Sequence, residues 1–439
     1  MRRREFRPRF AGGGRVPPRF AGRPGLRRRG AGRGRKLRSR VLIAGAVILA
    51  AVVAWVGVQL LRPVPAMTLT ASVTRVRVLP GAAPRPAWPG RAEAAVGLPG
   101  TGLLGASGGG RPVPIASLAK IMTGYLVLRD HPLPAGGSGP AITVTAADAA
   151  AYASDQRQGQ SVVKVVRGEK LTELQALQAM LIPSGNNIAS LLARWDAGSQ
   201  AAFVAKMNAV ARSLGLRSTR YADASGADPA TASTAADQFW LTVRAMQVPA
   251  FRQIVAMAQV TLPVAGLAYN INAALGHDGI VGVKTGSSSQ AGGCLAFAAT
   301  RTVAGGPVMI VGVVLGVHAT PAQPSALDGV IAASENLLGS VGGDLEHVQV
   351  VRAGAVLGSV ASAWAAGPAA VAATGVSVTA WPGTPVTVTV TPRPLGHAIR
   401  RGQPVAQATV TIGGQVSRIT LDASRAAPAP SVLWLLTRL

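Results

Sequence analysis

Val41–Leu61 reads VLIAGAVILAAVVAWVGVQLL, twenty-one residues without a charge. As a helix rising about 1.5 Å per residue, it is long enough to cross a hydrocarbon core of ~30 Å. Lys36, Arg38 and Arg40 precede it. Basic residues are retained on the cytoplasmic side, so everything after Arg62 is expected outside the cytoplasm. The rival reading is a cleaved signal peptide, with Val64-Pro65-Ala66 as a loose small-residue site. An apolar signal core runs only about 7–15 residues, and forty residues precede this one, which favours an uncleaved anchor.

The net charge of +27 concentrates at the start of the chain. Residues 1–40 hold sixteen Arg/Lys and one acid, Glu5. They are rich in Gly, Pro and Arg and show no apolar periodicity, the composition of a disordered tail. Beside a membrane span, such a tail has anionic lipid as its default partner, and no specific nucleic acid is expected. Cys294 is the single cysteine, so no intramolecular disulfide forms. It lies in the apolar run AGGCLAFAAT and reads as a buried core thiol.

The stretch 62–87, with RPVPA and LPGAAPRP, reads as a Pro-rich, extended linker. Residues 88–340 are mixed. AEAAVGLPG and TGLLGASG suggest a hairpin. Helical patterns follow at 117–130, 146–152, 172–182, 187–194, 199–214 and 234–246. Strand-like runs occur at 161–166 (SVVKVV), 279–286, 294–300 and 307–316. Strands around a helical middle predict an α+β domain with an antiparallel sheet and a helical subdomain. From about 345 to 439 the pattern becomes all-β. PVTVTVTP alternates with period two, and ATVTIGGQVSRITL is two runs joined by Gly413-Gly414, a good hairpin turn. The terminal SVLWLLTRL is too short to span a bilayer and is expected to pack on the β-module, with a peripheral membrane contact as the alternative.

The chemistry-bearing candidates lie in the middle domain. In PIASLAKIMTGYLVL, Ser117 and Lys120 are three apart near the start of a helix and share a face. The apolar neighbours Ile115, Leu118, Ile121, Met122 and Leu126 would desolvate the amine and lower its pKa. A neutral lysine can then take the serine proton. Free N–H groups at the helix start suit a developing oxyanion. The pattern S-x-x-K also occurs at Ser161–Lys164, but on a strand those side chains face opposite ways. Two further motifs decide between them. LIPSGNNIAS carries Ser184-Gly185-Asn186, and GIVGVKTGSSS carries Lys284-Thr285-Gly286. Ser334-Glu335-Asn336 repeats S-x-N, but after the K-T-G. S-x-x-K, S-x-N and K-T-G in that order form a specific constellation.

With these residues, 88–340 resembles the serine D-alanyl-D-alanine carboxypeptidases, the low-molecular-mass penicillin-binding proteins. Similar blocks include IASLAKIMTGYLVL, MLIPSGNNIAS, MNAVARSLGLRSTRYADASG with STAADQFW, and VKTGSSSQAGGCLAF. The β-rich tail is similar, more weakly, to a C-terminal module of many members. The resemblance implies a penicillin-binding/β-lactamase-like transpeptidase fold followed by a small all-β module. It implies that Ser117 attacks the carbonyl before a terminal D-alanine, Lys120 is the base, Ser184 relays a proton to the leaving amine, and Asn186 positions the substrate amide and Lys120. Lys284 and Thr285 would engage the terminal carboxylate. Gly286 would let the substrate lie beside the strand, and the N–H groups of Ser117 and Ser287 would form the oxyanion hole. Peptidoglycan stem peptides are the implied substrate, β-lactams the implied inhibitors, and no cofactor or metal is implied. The chain departs from the family pattern at Asn187 (often Asp), at Ser287–Ser289 after the K-T-G, and at Val281 (often Asp).

Rival chemistries fit less well. A class A β-lactamase needs a deacylating Glu, and no Glu lies between Ser184 and Lys284. His131, His277, His318, His347 and His397 are dispersed without H-E-x-x-H, unlike a zinc peptidase. No G-x-S-x-G is present. The remaining alternatives are a β-lactamase-like serine hydrolase and a catalytically weak wall-binding or scaffold protein on the same fold.

Overall fold

A computed structural model of the chain describes residues 33–71 and 75–438. Residues 1–32 of the basic tail lie outside the described residues. The chain forms two units. One comprises the N-terminal segment to Pro65 together with Pro430–Leu439, and the other is Ala66–Ala429.

In the first unit, α1 spans Arg33–Leu61, so helix begins within the segment expected to be a tail. Its part from Leu37 to Leu61 is apolar and long enough to cross a membrane by length and composition, a test that a signal sequence also passes. The terminal segment, expected with the β-module, groups with α1 instead. Ser431 caps a short helix over Val432–Thr437, and this turn belongs with α1. The Arg438 guanidinium donates to the carbonyls of Gln59 (2.8 Å) and Pro63 (3.2 Å), and the Gln59 amide donates to the Arg438 carbonyl (3.2 Å). A cation at these carbonyls satisfies the orphan acceptors at the end of α1.

The larger unit opens with strands where a linker was expected. β1 (Thr68–Ala71) and β2 (Arg75–Val78) come from TLTASVTRVRV, whose period-two alternation suits a strand better than a Pro-rich spacer. The hairpin β3 (Glu93–Leu98) and β4 (Gly102–Ser107) follows, then a two-residue strand β5 (Val113–Pro114), a 3-10 turn at Ala116–Leu118 and α2 (Ala119–Asp130). The helical subdomain continues with β6 (Ala141–Thr143), α3 (Ala146–Arg157), β7 (Lys170–Thr172), α4 (Glu173–Leu181), α5 (Asn186–Ala197), α6 (Gln200–Ser213), β8 (Ala232–Ser233), α7 (Ala235–Met246) and α8 (Pro249–Val255). Local chemistry sets these boundaries. Thr145 with Asp148 and Thr172 with Gln175 form capping boxes, Ser199 and Thr234 cap α6 and α7, Pro249 opens α8, and α5 stops at Gly198 with φ +77°.

After the small hairpin β9 (Gln259–Leu262) and β10 (Gly266–Tyr269) come β11 (Ile280–Ser288), β12 (Gly292–Val303), β13 (Gly306–Val317) and α9 (Ala326–Gly342). The central antiparallel sheet has the order β11-β12-β13-β3-β4. Both of its faces are buried. Cys294, Ala296, Ala298, Val311, Val313 and Leu315 face α2 and α4–α8, while Leu295, Phe297, Ala299, Ile310 and Val314 face α9. Coverage on both sides explains why these strands read as continuous apolar runs.

The β-module contains β14 (Glu346–Val351), β15 (Val356–Ala361), β16 (Ala369–Ala372), β17 (Val376–Ala380), β18 (Pro385–Pro392), β19 (Pro404–Ile412) and β20 (Gln415–Ala423). Its seven-stranded sheet has the order β1-β15-β16-β20-β19-β18-β2, with a separate pair β14-β17. β1 and β2 are neighbours in the chain yet end opposite edges, so the sheet curls round on itself. Trp381, 1% exposed, joins the core under α9 and donates its indole N–H to the Val341 carbonyl at 2.8 Å. The predicted Gly413-Gly414 turn closes the β19–β20 hairpin. It also lies against the β3–β4 turn, where a β-carbon on Gly413 would meet the Thr101 carbonyl. The larger unit thus joins a mixed α+β domain, an antiparallel sheet with a helical subdomain, to added C-terminal strands.

Candidate active site

Ser117 sits in the 3-10 turn that feeds α2, so Ser117 and Lys120 project from successive turns. The turn is entered through Ala116 with φ +45°, an uncommon conformation for a residue with a side chain. Two close approaches hold it there. A β-carbon on Gly226 would lie 1.8 Å from the Ala116 carbonyl oxygen, and one on Gly286 would lie 2.7 Å from the Ser117 nitrogen. The turn is clasped between the YADASG loop and the K-T-G strand β11, and only glycine permits either approach.

Lys120 is 0% exposed. Its Nζ lies 2.7 Å from Ser117 Oγ, 2.6 Å from Asn186 Oδ1 and 3.0 Å from the Ser225 carbonyl. Desolvation lowers its pKa well below the ordinary lysine value, and the nearby Lys284 charge lowers it further, while Asp223 opposes both. A neutral amine has two N–H bonds and one lone pair. The two carbonyl oxygens can only accept, so they take both N–H bonds. In that form the lone pair is left facing the Ser117 hydroxyl, which can then donate to it. Burial favours the neutral form, and the two carbonyls orient the lone pair in that form.

Asn186 is itself oriented. Its Nδ2 donates to Gln160 Oε1 at 2.8 Å, which turns Oδ1 toward Lys120. Its backbone N–H donates to the Ser161 carbonyl at 2.8 Å. Ser184 lies two residues earlier in the turn between α4 and α5, 3% exposed and at φ +67°.

The segment 161–166 is not the predicted strand. Val163 and Val165 are buried in alternation, but no neighbouring strand pairs with them. The Asn187 side chain takes that place. The Val163 N–H donates to Asn187 Oδ1 (2.9 Å), and Asn187 Nδ2 donates to the Val163 carbonyl (2.8 Å). An amide offers both roles at once, and an ionised carboxylate only accepts, which gives physical content to Asn at this position. Ser161 and Lys164 are exposed and make no pair resembling Ser117 and Lys120.

On β11, Lys284 and Thr285 are 1% and 2% exposed, while Ser287 is exposed. Register pairs Lys284 with Ala296, Gly286 with Cys294 and Ser287 with Gly293. Lys284 Nζ donates to the Thr285 carbonyl at 3.0 Å, and burial pushes its pKa down to about 7.

The motifs do not mark several residues that build this site. Gln160 orients Asn186. Ser225 contributes a main-chain carbonyl, and any residue type carries one. Asp223 accepts from the Ser225 hydroxyl (2.6 Å), the Ala227 N–H (3.0 Å) and the Thr231 hydroxyl (2.6 Å), which fixes the loop that presents the carbonyl. The clustering of Asp, Ser, Gly and Thr in YADASGADPAT is a turn signal, and its place in the site follows only from the fold.

Residues 103–319 match the profile of the family described as Peptidase_S11, D-alanyl-D-alanine carboxypeptidase. A D-alanyl-D-alanine carboxypeptidase of Streptomyces sp. (strain K15) is 35% identical over 182 residues, 38% of this chain and 61% of the relative. A D-alanyl-D-alanine endopeptidase of Pseudomonas aeruginosa is 34% identical over 196 residues, 43% of this chain and 60% of the relative. The chain therefore spans about three-fifths of the length of these curated relatives. Penicillin binding protein 5 from Haemophilus influenzae shares the fold, with a TM-score of 0.56 and 19% identity over 80% of this chain and 100% of that one. The matched region holds Ser117, Lys120 and Lys284 and is similar to the D-alanyl-D-alanine carboxypeptidase family of serine peptidases.

Proposed function

We propose that this chain is a membrane-anchored serine DD-carboxypeptidase that removes the terminal D-alanine from peptidoglycan stem pentapeptides, and that penicillins acylate the same serine. The observation that carries the reading is the buried Lys120 amine, whose Nζ lies within hydrogen-bond distance of Ser117 Oγ, Asn186 Oδ1 and the Ser225 carbonyl. The Ser117 proton passes to Lys120 Nζ as Oγ attacks the peptide carbonyl. The N–H groups of Ser117 and Ser287 receive the oxyanion. Collapse breaks the C–N bond, and the proton returns through Lys120 and Ser184 to the departing D-alanine amine. Water then hydrolyses the ester. Lys284 and Thr285 bind the terminal carboxylate, and that anion restores the charge that burial removes from Lys284.

Covalent labelling of the full chain by fluorescent penicillin, lost in Ser117→Ala, tests the acyl-enzyme. Absence of labelling in the folded wild type sinks it in favour of the scaffold reading. D-alanine release from a pentapeptide, set against nitrocefin turnover, separates peptidase from β-lactamase. Endopeptidase action is a second reading, favoured by the name of the Pseudomonas aeruginosa relative. Cleavage of a cross-linked muropeptide dimer faster than D-alanine release would select it. The anchor rests on α1 and the basic flank Lys36, Arg38 and Arg40, with the catalytic domain outside. Membrane extraction followed by N-terminal sequencing distinguishes it from a cleaved signal.

A further inference from the structure

The β-module carries a cavity of about 320 Å³, open to solvent on one side, that no catalytic residue touches. Val350, Val351, Leu357, Val386, Val388 and Val390 wall it, and Arg77 and Arg352 are the charged side chains that line it. Among the described residues neither guanidinium has an ion-pair or hydrogen-bond partner.

The register of β2 makes this arrangement unusual. Arg77 stands opposite Val386, and partners in an antiparallel pair share a face. Val386 is 1% exposed and belongs to the module core. Arg77 therefore shares the face of Val386, but its side chain is exposed, like those of Arg352, Val76 (66%) and Val78 (62%). The strand thus sets a solvent-accessible cation at the rim of the apolar lining.

We propose that this cavity binds a linear amphipathic anion, an apolar chain of about eight carbons whose carboxylate or phosphate meets Arg77 and Arg352. The volume lies at the small end of ligand pockets and holds roughly ten heavy atoms at about 30 Å³ each. Octanoate has that many. Guanidinium groups pair with carboxylate or phosphate through charge-assisted, bidentate bonds, the valine walls supply apolar surface, and Gln349 adds an amide at the polar end. A free fatty acid and the chain of an anionic phospholipid share this chemistry.

The test is titration of octanoate into the full chain held in amphipol, followed by calorimetry and by the shift of a carboxyl ¹³C label. Saturable binding is expected, with octanol at least tenfold weaker. Arg77→Ser with Arg352→Ser should weaken octanoate at least tenfold, and Arg77→Lys should retain most of it. Penicillin labelling at Ser117 and Tm report that the variants are folded. In phosphatidylcholine nanodiscs, added phosphatidylglycerol either competes with octanoate, which assigns the site to bilayer lipid, or does not, which assigns it to free acid. The proposal is overturned if octanoate and octanol bind alike, if the double serine variant binds like wild type, or if no saturation occurs into the millimolar range. In those cases Arg77 only protects the sheet edge.

Discussion

Gly286→Ala isolates the geometry that matters most at the serine. The added methyl would sit 2.7 Å from the Ser117 nitrogen, 3.2 Å from the Ala116 β-carbon and 3.3 Å from the Leu118 nitrogen. Ordinary contacts are about 3.5–4.0 Å, so β11 and the serine turn must part by roughly 0.8 Å. All three clashing atoms are main-chain or β-carbon atoms, and no flexible side chain can swing away. The methyl also covers the Ser117 N–H, an assigned oxyanion donor. A misplacement of about 1 Å costs on the order of 10²-fold in rate, and a lost oxyanion donor about as much. The second-order acylation constant with penicillin should therefore fall ~10²-fold, about 2.7 kcal/mol of barrier. Overpacking should cost about 1–3 kcal/mol of stability. Gly339→Ala is the control, since its methyl meets nothing within 4 Å on α9. It should stabilise by about 0.5–1 kcal/mol and leave acylation unchanged. Stopped-flow acylation and thermal melts on the three proteins decide the matter. If Gly286→Ala acylates within about threefold of wild type, the close strand–turn contact does not set the serine's position, and the reasoning fails.

Three further outcomes are expected. Gln160→Ala frees the Asn186 amide to rotate and should lower the acylation rate about tenfold with little change in Tm. Gln160→Glu keeps an acceptor for Asn186 Nδ2 and should restore most of the rate, a rescue that a purely structural role would not give. Lys284→Gln removes a cation that lowers the Lys120 pKa, so that pKa rises. The ascending limb of the acylation pH profile should then move alkaline, most visibly against the wild type below about pH 7, where Lys284 is charged; an unmoved limb contradicts the coupling. Glu173 is 1% exposed, and burial raises its carboxyl to about 7. The folded state therefore binds the proton more tightly than the unfolded state between about pH 4.5 and 7, and stability falls as pH rises through that window, by on the order of 3 kcal/mol. Glu173→Gln should flatten that part of the stability–pH curve, and denaturant melts at pH 5 and pH 8 measure it.

The central sheet was legible because both of its faces are covered, so β11–β13 appear as apolar runs. The helices were legible because their caps and periodicity are local. β1 and β2 were not, although TLTASVTRVRV alternates, because their partners β15 and β18 lie some 290–310 residues further along. Prolines on both sides also supplied a stronger local signal for a spacer. The segment SVVKVV has a strand's burial pattern without a strand's partner. Its ladder is replaced by the Asn187 side chain, and no periodicity rule anticipates that. The terminal SVLWLLTRL was assigned to the nearest module in sequence, whereas its Arg438 satisfies carbonyls at the end of α1.

The same distinction runs through the active site. Apolar neighbours around Lys120 were enough to expect a depressed pKa, and a pKa is a statement about whether a lone pair exists. Catalysis also requires that the lone pair point at Ser117. That direction comes from two acceptors on separate segments, Asn186 Oδ1 and the Ser225 carbonyl, each held by a further residue, Gln160 and Asp223. A motif can record Asn186 because its side chain acts. It cannot record Ser225, whose contribution is a main-chain oxygen, nor Gly226, whose contribution is the absence of a β-carbon against Ala116. In this fold the three motifs name the groups proposed to react, while the aim of the proposed base is set in part by main-chain positions that only the tertiary structure makes visible.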